Sequence, residues 1–325
     1  MPTRIAAIPR TLLLAVVAVL AITASGCGQE EDPAALLQAA FDTPIESATT
    51  TVTARANLRG SSPQTAQPLG LRISGPYKRN AENQLPSLDF QVSASQGPGA
   101  LNARLVTVPD NAFVVFQNTA YEVGRQRVAQ GLRQGQQQRK VTLAELGVKP
   151  ATWVVDPQMR GESDVAGEGT TQVSGRLDLA RMLRDVNRIQ QEQARRGISP
   201  GPQQEITEQQ IAEVVRAVQQ PTMDVFVAGD DTIRRLVVNA PFTVPPQQRQ
   251  AGIDGGTVNV TTELADVGGD QEVKPPPNPR PIEELLAQFG LGGGGGLPPG
   301  AGAPPGGGAP RGGGAPRGGG APGGR

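Results

Sequence analysis

The chain has 325 residues, with 30 Lys plus Arg balanced by 30 Asp plus Glu, and it contains no histidine. Balanced charge leaves no broad basic field for nucleic acid, and aromatics at 3% leave few faces on which bases could stack. With no histidine and a single cysteine, Cys27, the chain cannot build a Ser-His-Asp triad, a Cys-His pair, an imidazole or thiolate metal site, or an internal disulfide.

An enzyme here would have only carboxylates, lysine or serine to work with. The carboxylate pairs Asp230-Asp231 and Glu283-Glu284 read more simply as a hairpin turn and a solvated helix start. The expectation is a protein that is not an enzyme and takes no cofactor, metal or nucleic acid.

The N-terminus carries Arg4 and Arg10, an apolar run from Leu12 to Ala24, and the small residues Ala24-Ser25-Gly26 just before Cys27. Basic start, short apolar segment and small-residue cleavage site describe a secretory signal peptide over residues 1–26. The run is shorter than the roughly 20 apolar residues needed to span a bilayer. A cysteine directly after the cleavage site resembles the bacterial lipoprotein signal. That resemblance implies S-diacylglycerol on Cys27, cleavage before it, and a lipid anchor on the extracytoplasmic face of the cell membrane. Residues 27–32 form a short polar spacer ending in Glu30, Glu31 and Asp32.

Pro33 suits a first helical position, and Leu37, Ala40 and Phe41 give a short amphipathic helix that Pro44 ends. A strand-rich region follows. Val52, Ala54, Ala56 and Leu58 alternate along 48–58. A second strand over 69–74 closes at Gly75-Pro76, and a third over 87–94 puts Leu88, Phe90 and Val92 on one face. Strands over 103–108 and 112–117 flank the turn Pro109-Asp110-Asn111, and another follows over 120–123. This is an antiparallel meander with one apolar face.

The Gln- and Arg-rich stretch 124–140 reads as a helix or an excursion, 143–146 as a helical turn, and Trp153-Val154-Val155 as a lead-in. A hairpin turns at Ala166-Gly167-Glu168-Gly169. Asp178 then caps a helix striped by Leu179, Met182, Leu183, Val186 and Ile189. Thr207 with Gln210 makes a capping box for a second helix striped by Ile211, Val214, Val215 and Val218. Strands over 223–228, 232–239 and 257–265 complete a domain expected to end at 267. Pro275-Pro276-Pro277 is a stiff spacer and 281–289 a candidate two-turn helix. From 290 the chain is Gly, Pro, Ala and Arg, which cannot bury a core. Residues 268–325 are therefore expected to form a Pro/Gly-rich disordered tail.

Helical stripes need an apolar partner, and one face of a curved sheet supplies it. The order of elements and the phrase from Gly167 to Leu183, a Thr-Thr-x-x-Ser-Gly-x-Leu-Asp strand running into a helix, resemble the LppX/LprG lipoproteins of mycobacteria. Members are similar in fold to the periplasmic carriers LolA and LolB. The resemblance implies an α+β domain over 33–267: an open curved antiparallel sheet, or half-barrel, with helices packed on its concave face. It implies a hydrophobic cavity for the acyl chains of a lipid or glycolipid, which the protein carries or presents.

Candidate lining residues on the strand faces and helix stripes are Phe90, Val92, Phe113, Val115, Trp153, Met182, Leu183, Val186, Val214, Val225, Leu236, Val238 and Val258. Ordinary core packing uses the same residue types. The alternative is therefore a structural lipoprotein with a filled core that binds an envelope partner. Either reading leaves room for an envelope transporter as a partner. Changing Cys27→Ser is expected to move the protein from the detergent phase to the aqueous phase on detergent partitioning of cell lysates.

Overall fold

The computed structural model describes residues 32–61, 67–96, 99–136, 143–195, 205–246 and 252–290. The expected signal peptide, Cys27, the spacer up to residue 31 and the stretch 291–325 lie outside the described residues. Helix α1 spans Pro33–Asp42. Its N-cap Asp32 accepts a hydrogen bond from Ala34 N at 3.0 Å, and Pro33 sits at the first turn. Strands β1 (Ser47–Gly60), β2 (Leu69–Lys78), β3 (Ser87–Gln96), β4 (Gly99–Val108), β5 (Asn111–Phe116) and β6 (Thr119–Glu122) follow as a meander. Helix α2 covers Arg125–Gln136, and a short 3-10 turn covers Pro150–Trp153.

A second meander contains β7 (Val154–Val165), β8 (Glu168–Leu177), β9 (Thr222–Ala228), β10 (Ile233–Thr243) and β11 (Ile253–Ala265). Helices α3 (Leu179–Arg195) and α4 (Glu208–Ala217) interrupt it between β8 and β9. The predicted capping box of α4 is present, with Thr207 N donating to Gln210 Oε1 at 2.8 Å and Gln210 N to Thr207 Oγ1 at 3.2 Å.

With the two-residue strand β12 (Arg280–Pro281), the described strands form one open 12-stranded sheet in the order β12-β6-β5-β4-β3-β2-β1-β11-β10-β9-β8-β7. The fold is α+β, an open antiparallel sheet with α1, α3 and the C-terminal helix packed on its apolar face, as the sequence predicts. The exception to antiparallel order is β12 (Arg280–Pro281), which pairs in parallel with the end of β6. The two meanders join where β1 meets β11, in a register running from Thr49↔Ala265 to Gly60↔Ile253.

Two sequence expectations change. Strand β2 does not close at Gly75-Pro76. A Cβ at Gly75 would stand 1.9 Å from the Asp89 carbonyl oxygen, so the glycine lets β3 pass close by and pairing continues to Lys78↔Ser87. The domain also does not end at 267. Helix α5 (Ile282–Gln288) buries Ile282 and Leu285 beside Tyr121, so the folded body runs on to 290. The buried flank of a seven-residue helix is too short a signal to read before its partner is known.

The main core lies under α1. Leu37 and Ala40 pack with Val154, Val173, Leu177, Met223, Val225 and Val227, and the 3-10 turn and the start of α3 add Trp153, Leu179 and Met182. Replacing the fully buried Leu37 with Ala is expected to cost about 2–5 kcal/mol of unfolding free energy. Replacing the exposed Leu143 should stay within about 0.5 kcal/mol. Urea denaturation checks both values.

Candidate functional site: an open apolar sheet face

In-register pairing carries each side chain's face from strand to strand. One ladder reads Val173, Val225, Leu236, Thr262, Val52, Ile73, Val92, Ala103 and Phe116. The ladder two residues along reads Met223, Val238, Val260, Ala54, Leu71, Ala94 and Leu101. Two residues to the other side lie Phe90, Leu105, Val114 and Tyr121. The face is thus almost wholly aliphatic from β8 to β5.

The helices cover this face only at its ends. The core under α1 and α3 fills the end at β7 to β10. Helix α5 fills the other, where Val114 and Phe116 pack against Tyr121, Ile282 and Leu285. Between them, Leu69, Leu71, Leu101 and Leu105 are 37%, 38%, 61% and 39% exposed. Small residues such as Ala54, Ala56, Ala94 and Ala103 alternate with these leucines and leave grooves between the rows. The space between the helices is an open apolar face rather than a sealed chamber.

The opposite face carries the charged pairs. Arg104 donates both Nε and Nη2 to the Asp89 carboxylate, and this hydrogen bonding raises the pKa of the guanidinium further. Arg235 pairs with Glu263 at 2.7 Å and lies 5.4 Å from the Phe226 ring centre. Exposed Arg55 and Arg72 complete it.

The predicted site residues divide accordingly. Phe90, Val92 and Val258 lie half-buried on the uncovered apolar face. Val225, Leu236, Val238, Met182 and Trp153 belong to the packed core beside it. Phe113 and Val115 do not join them. They pair with Val106 and Arg104, one residue out of phase with Val114 and Phe116, and so lie on the opposite face. Phe113 borders a groove of about 800 Å³ there, lined also by Arg127 of α2 and by Pro275, Pro276 and Pro279.

Leu183 and Val186 are half-buried on α3, and Val214 is 40% exposed on α4. Sequence reasoning missed Leu69, Leu71, Leu101 and Leu105, although alternation along β2 and β4 carries their signal.

Polar contacts fix the helices that border the face. Trp153 Nε1 donates to the buried Asp185 at 2.8 Å, and Arg188 pairs with the other carboxylate oxygen at 3.1 Å. On the far side of α3, Asn187 Nδ2 donates to Ile206 O at 2.6 Å. Arg184 grips Glu208, and its hydrogen bonds hold that carboxyl below the ordinary range. The two carboxylate pairs serve as ties. Glu283 bonds Arg127, and Glu284 lies 3.6 Å from Arg280. Asp230 is held low mainly by the Thr232 hydroxyl, with Arg234 adding to it. Among the described residues, no group of three or more His, Cys, Asp or Glu could hold a metal ion.

No known family pattern and no curated protein matches the chain by sequence. The fold is similar to those of LprF and LppX. LprF from Mycobacterium bovis is 12% identical, with a TM-score of 0.40 over 75% of this chain and 96% of that one. The Mycobacterium tuberculosis lipoprotein LppX is 13% identical, with a TM-score of 0.36 over 74% of this chain and 98% of that one.

Changing Leu101→Asp is expected to lower the affinity of the uncovered face for an anilinonaphthalene dye about tenfold, the equivalent of ~1.4 kcal/mol. Changing Asn102→Asp, the next residue on β4 but on the other face, should leave dye binding unchanged. Fluorescence titration separates the two.

Proposed function

We propose that this protein is a membrane-anchored lipoprotein of the bacterial envelope that binds the acyl chains of a lipid or glycolipid and carries or presents it. One observation carries the reading: an aliphatic face spans the sheet unbroken, is covered by helices only at its ends, and exposes four leucines between them. Apart from Tyr121, whose hydroxyl is taken by Gln288, its rows offer no hydrogen-bonding side chain beyond an occasional threonine such as Thr262. The ligand that suits them makes no directional demands and bends to the surface, as a saturated chain does.

Full burial of a methylene contributes about 0.8 kcal/mol. Half-burial against an open face gives roughly half of that per carbon, so a long chain still binds firmly. A planar aromatic ligand would find few rings here, and a peptide would leave its amide groups without partners.

The anchor belongs to the same reading. With diacylglycerol on Cys27, only the residues up to Asp32 separate the membrane from α1, which packs beside the apolar face. Among the described residues, no helix is long and apolar enough to cross a membrane. No catalytic step enters the proposal, since lipid binding needs neither acid, base nor metal.

The test is direct. The protein is purified, extracted with organic solvent and examined by mass spectrometry, and its Cys27→Ser form is titrated with dansylated undecanoic acid. Co-purifying lipid near one equivalent, with saturable uptake of the probe, is the expected result. An empty extract together with no uptake overturns the reading.

A further inference from the structure

The segment after β11 follows an unusual path. Gly268 N donates to Ser47 O at 2.9 Å, and Lys78 Nζ pairs with Asp270 at 2.7 Å, which ties the segment to β1 and β2. Pro275, Pro276 and Pro279 then line the groove beside Phe113, on the polar face. The chain next pairs as β12 along β6, the last strand of the first meander. It rounds that edge and returns as α5 on the apolar face, against Val114, Phe116 and Tyr121. Gln288 Nε2 donates to the Tyr121 hydroxyl at 3.1 Å and helps hold it there.

We infer that α5 is the end wall of the acyl-chain site and that Phe289, just after it, sets the length of chain the site accepts. This rests on the lipid-binding reading above.

The Phe289 ring lies 5.7 Å from the Phe116 ring at an interplanar angle of 59°, yet the residue is 59% exposed. An aromatic that is half in contact and half open stands at a boundary between packed core and free surface. Phe116 belongs to the long ladder that continues through Ala103, Val92 and Ile73. From Phe116 on β5 back to Leu236 on β10, that ladder crosses the strands in between at about 4.8 Å each, a path of roughly 29 Å.

Neighbouring ladders stand two residues apart, roughly 7 Å, so the groove between them is one chain wide. A chain lying in that groove runs toward the Phe116–Phe289 pair and stops against it. Removing the Phe289 ring lengthens the groove, and a larger ring shortens it.

The experiment uses the full-length chain carrying Cys27→Ser, with saturated fatty acids of graded length competing against dansylated undecanoic acid. Phe289→Ala is expected to move the preferred length upward, with about a twofold gain in affinity for each further methylene half-buried on the open face. Phe289→Trp is expected to move it downward. Phe289 is exposed enough that neither change threatens folding. If both variants bind with the parent's length preference, or weaken equally for every length, the end-wall assignment is overturned while lipid binding stands. If the parent binds no fatty acid at all, the lipid-binding reading fails and takes the end wall with it.

Discussion

The pairing of β1 with β11 is the constraint on which the rest of the molecule depends. It holds residues 49–60 against 253–265, the first strand of one meander against the last strand of the other, in a register that bulges only at Arg59 and Gly60. Without it the two meanders would be separate small sheets, each with an open edge at its centre. Closing a loop of this length costs chain entropy, but that cost grows only with the logarithm of length. A long run of paired backbone groups and facing Val, Ala and Thr side chains offsets it.

Register is what turns this pairing into a surface. Side chains alternate along each strand, so a slip of one residue at the join would set the apolar face of one meander beside the polar face of the other. In the register observed, Val52 faces Thr262, Ala54 faces Val260 and Ala56 faces Val258. The aliphatic rows of both halves therefore meet, and the charged pairs Arg104–Asp89 and Arg235–Glu263 share the opposite side.

The same geometry explains why the ends are filled and the middle is not. Helices α1 and α3 lie over β7 to β10, where Met223, Val225 and Val227 are buried. At the other end α5 is delivered by a proline-rich strap that has to cross the polar face first. The leucines of β2 and β4 lie beyond the reach of both caps. A soluble surface rarely keeps so continuous an apolar patch without a use for it. The buried Asp185, held between Trp153 and Arg188, fixes α3 at the border of this surface rather than across it.

Much of this was legible in the residues. Period-two alternation found the strands, Pro33 and the Thr207–Gln210 box located helix starts, and the apolar stripe of α3 named the helix that borders the site. Phe113 and Val115 show where reading stopped. In Ala112–Phe116 the positions on both faces are apolar, so alternation could not say which face was which, and only the partners Val106 and Arg104 decide it.

The helix 282–288 was visible as a segment but not as part of the fold, because its buried residues acquire meaning only against Tyr121. The sequence by itself determined the strand-rich class and the exclusion of a Ser-His-Asp triad, a Cys-His pair and imidazole or thiolate metal sites, since these depend on residue type and local spacing. The tertiary structure alone decided which apolar residues are core and which are surface, because both are built from the same side chains and differ only in what the pairing of distant strands places above them.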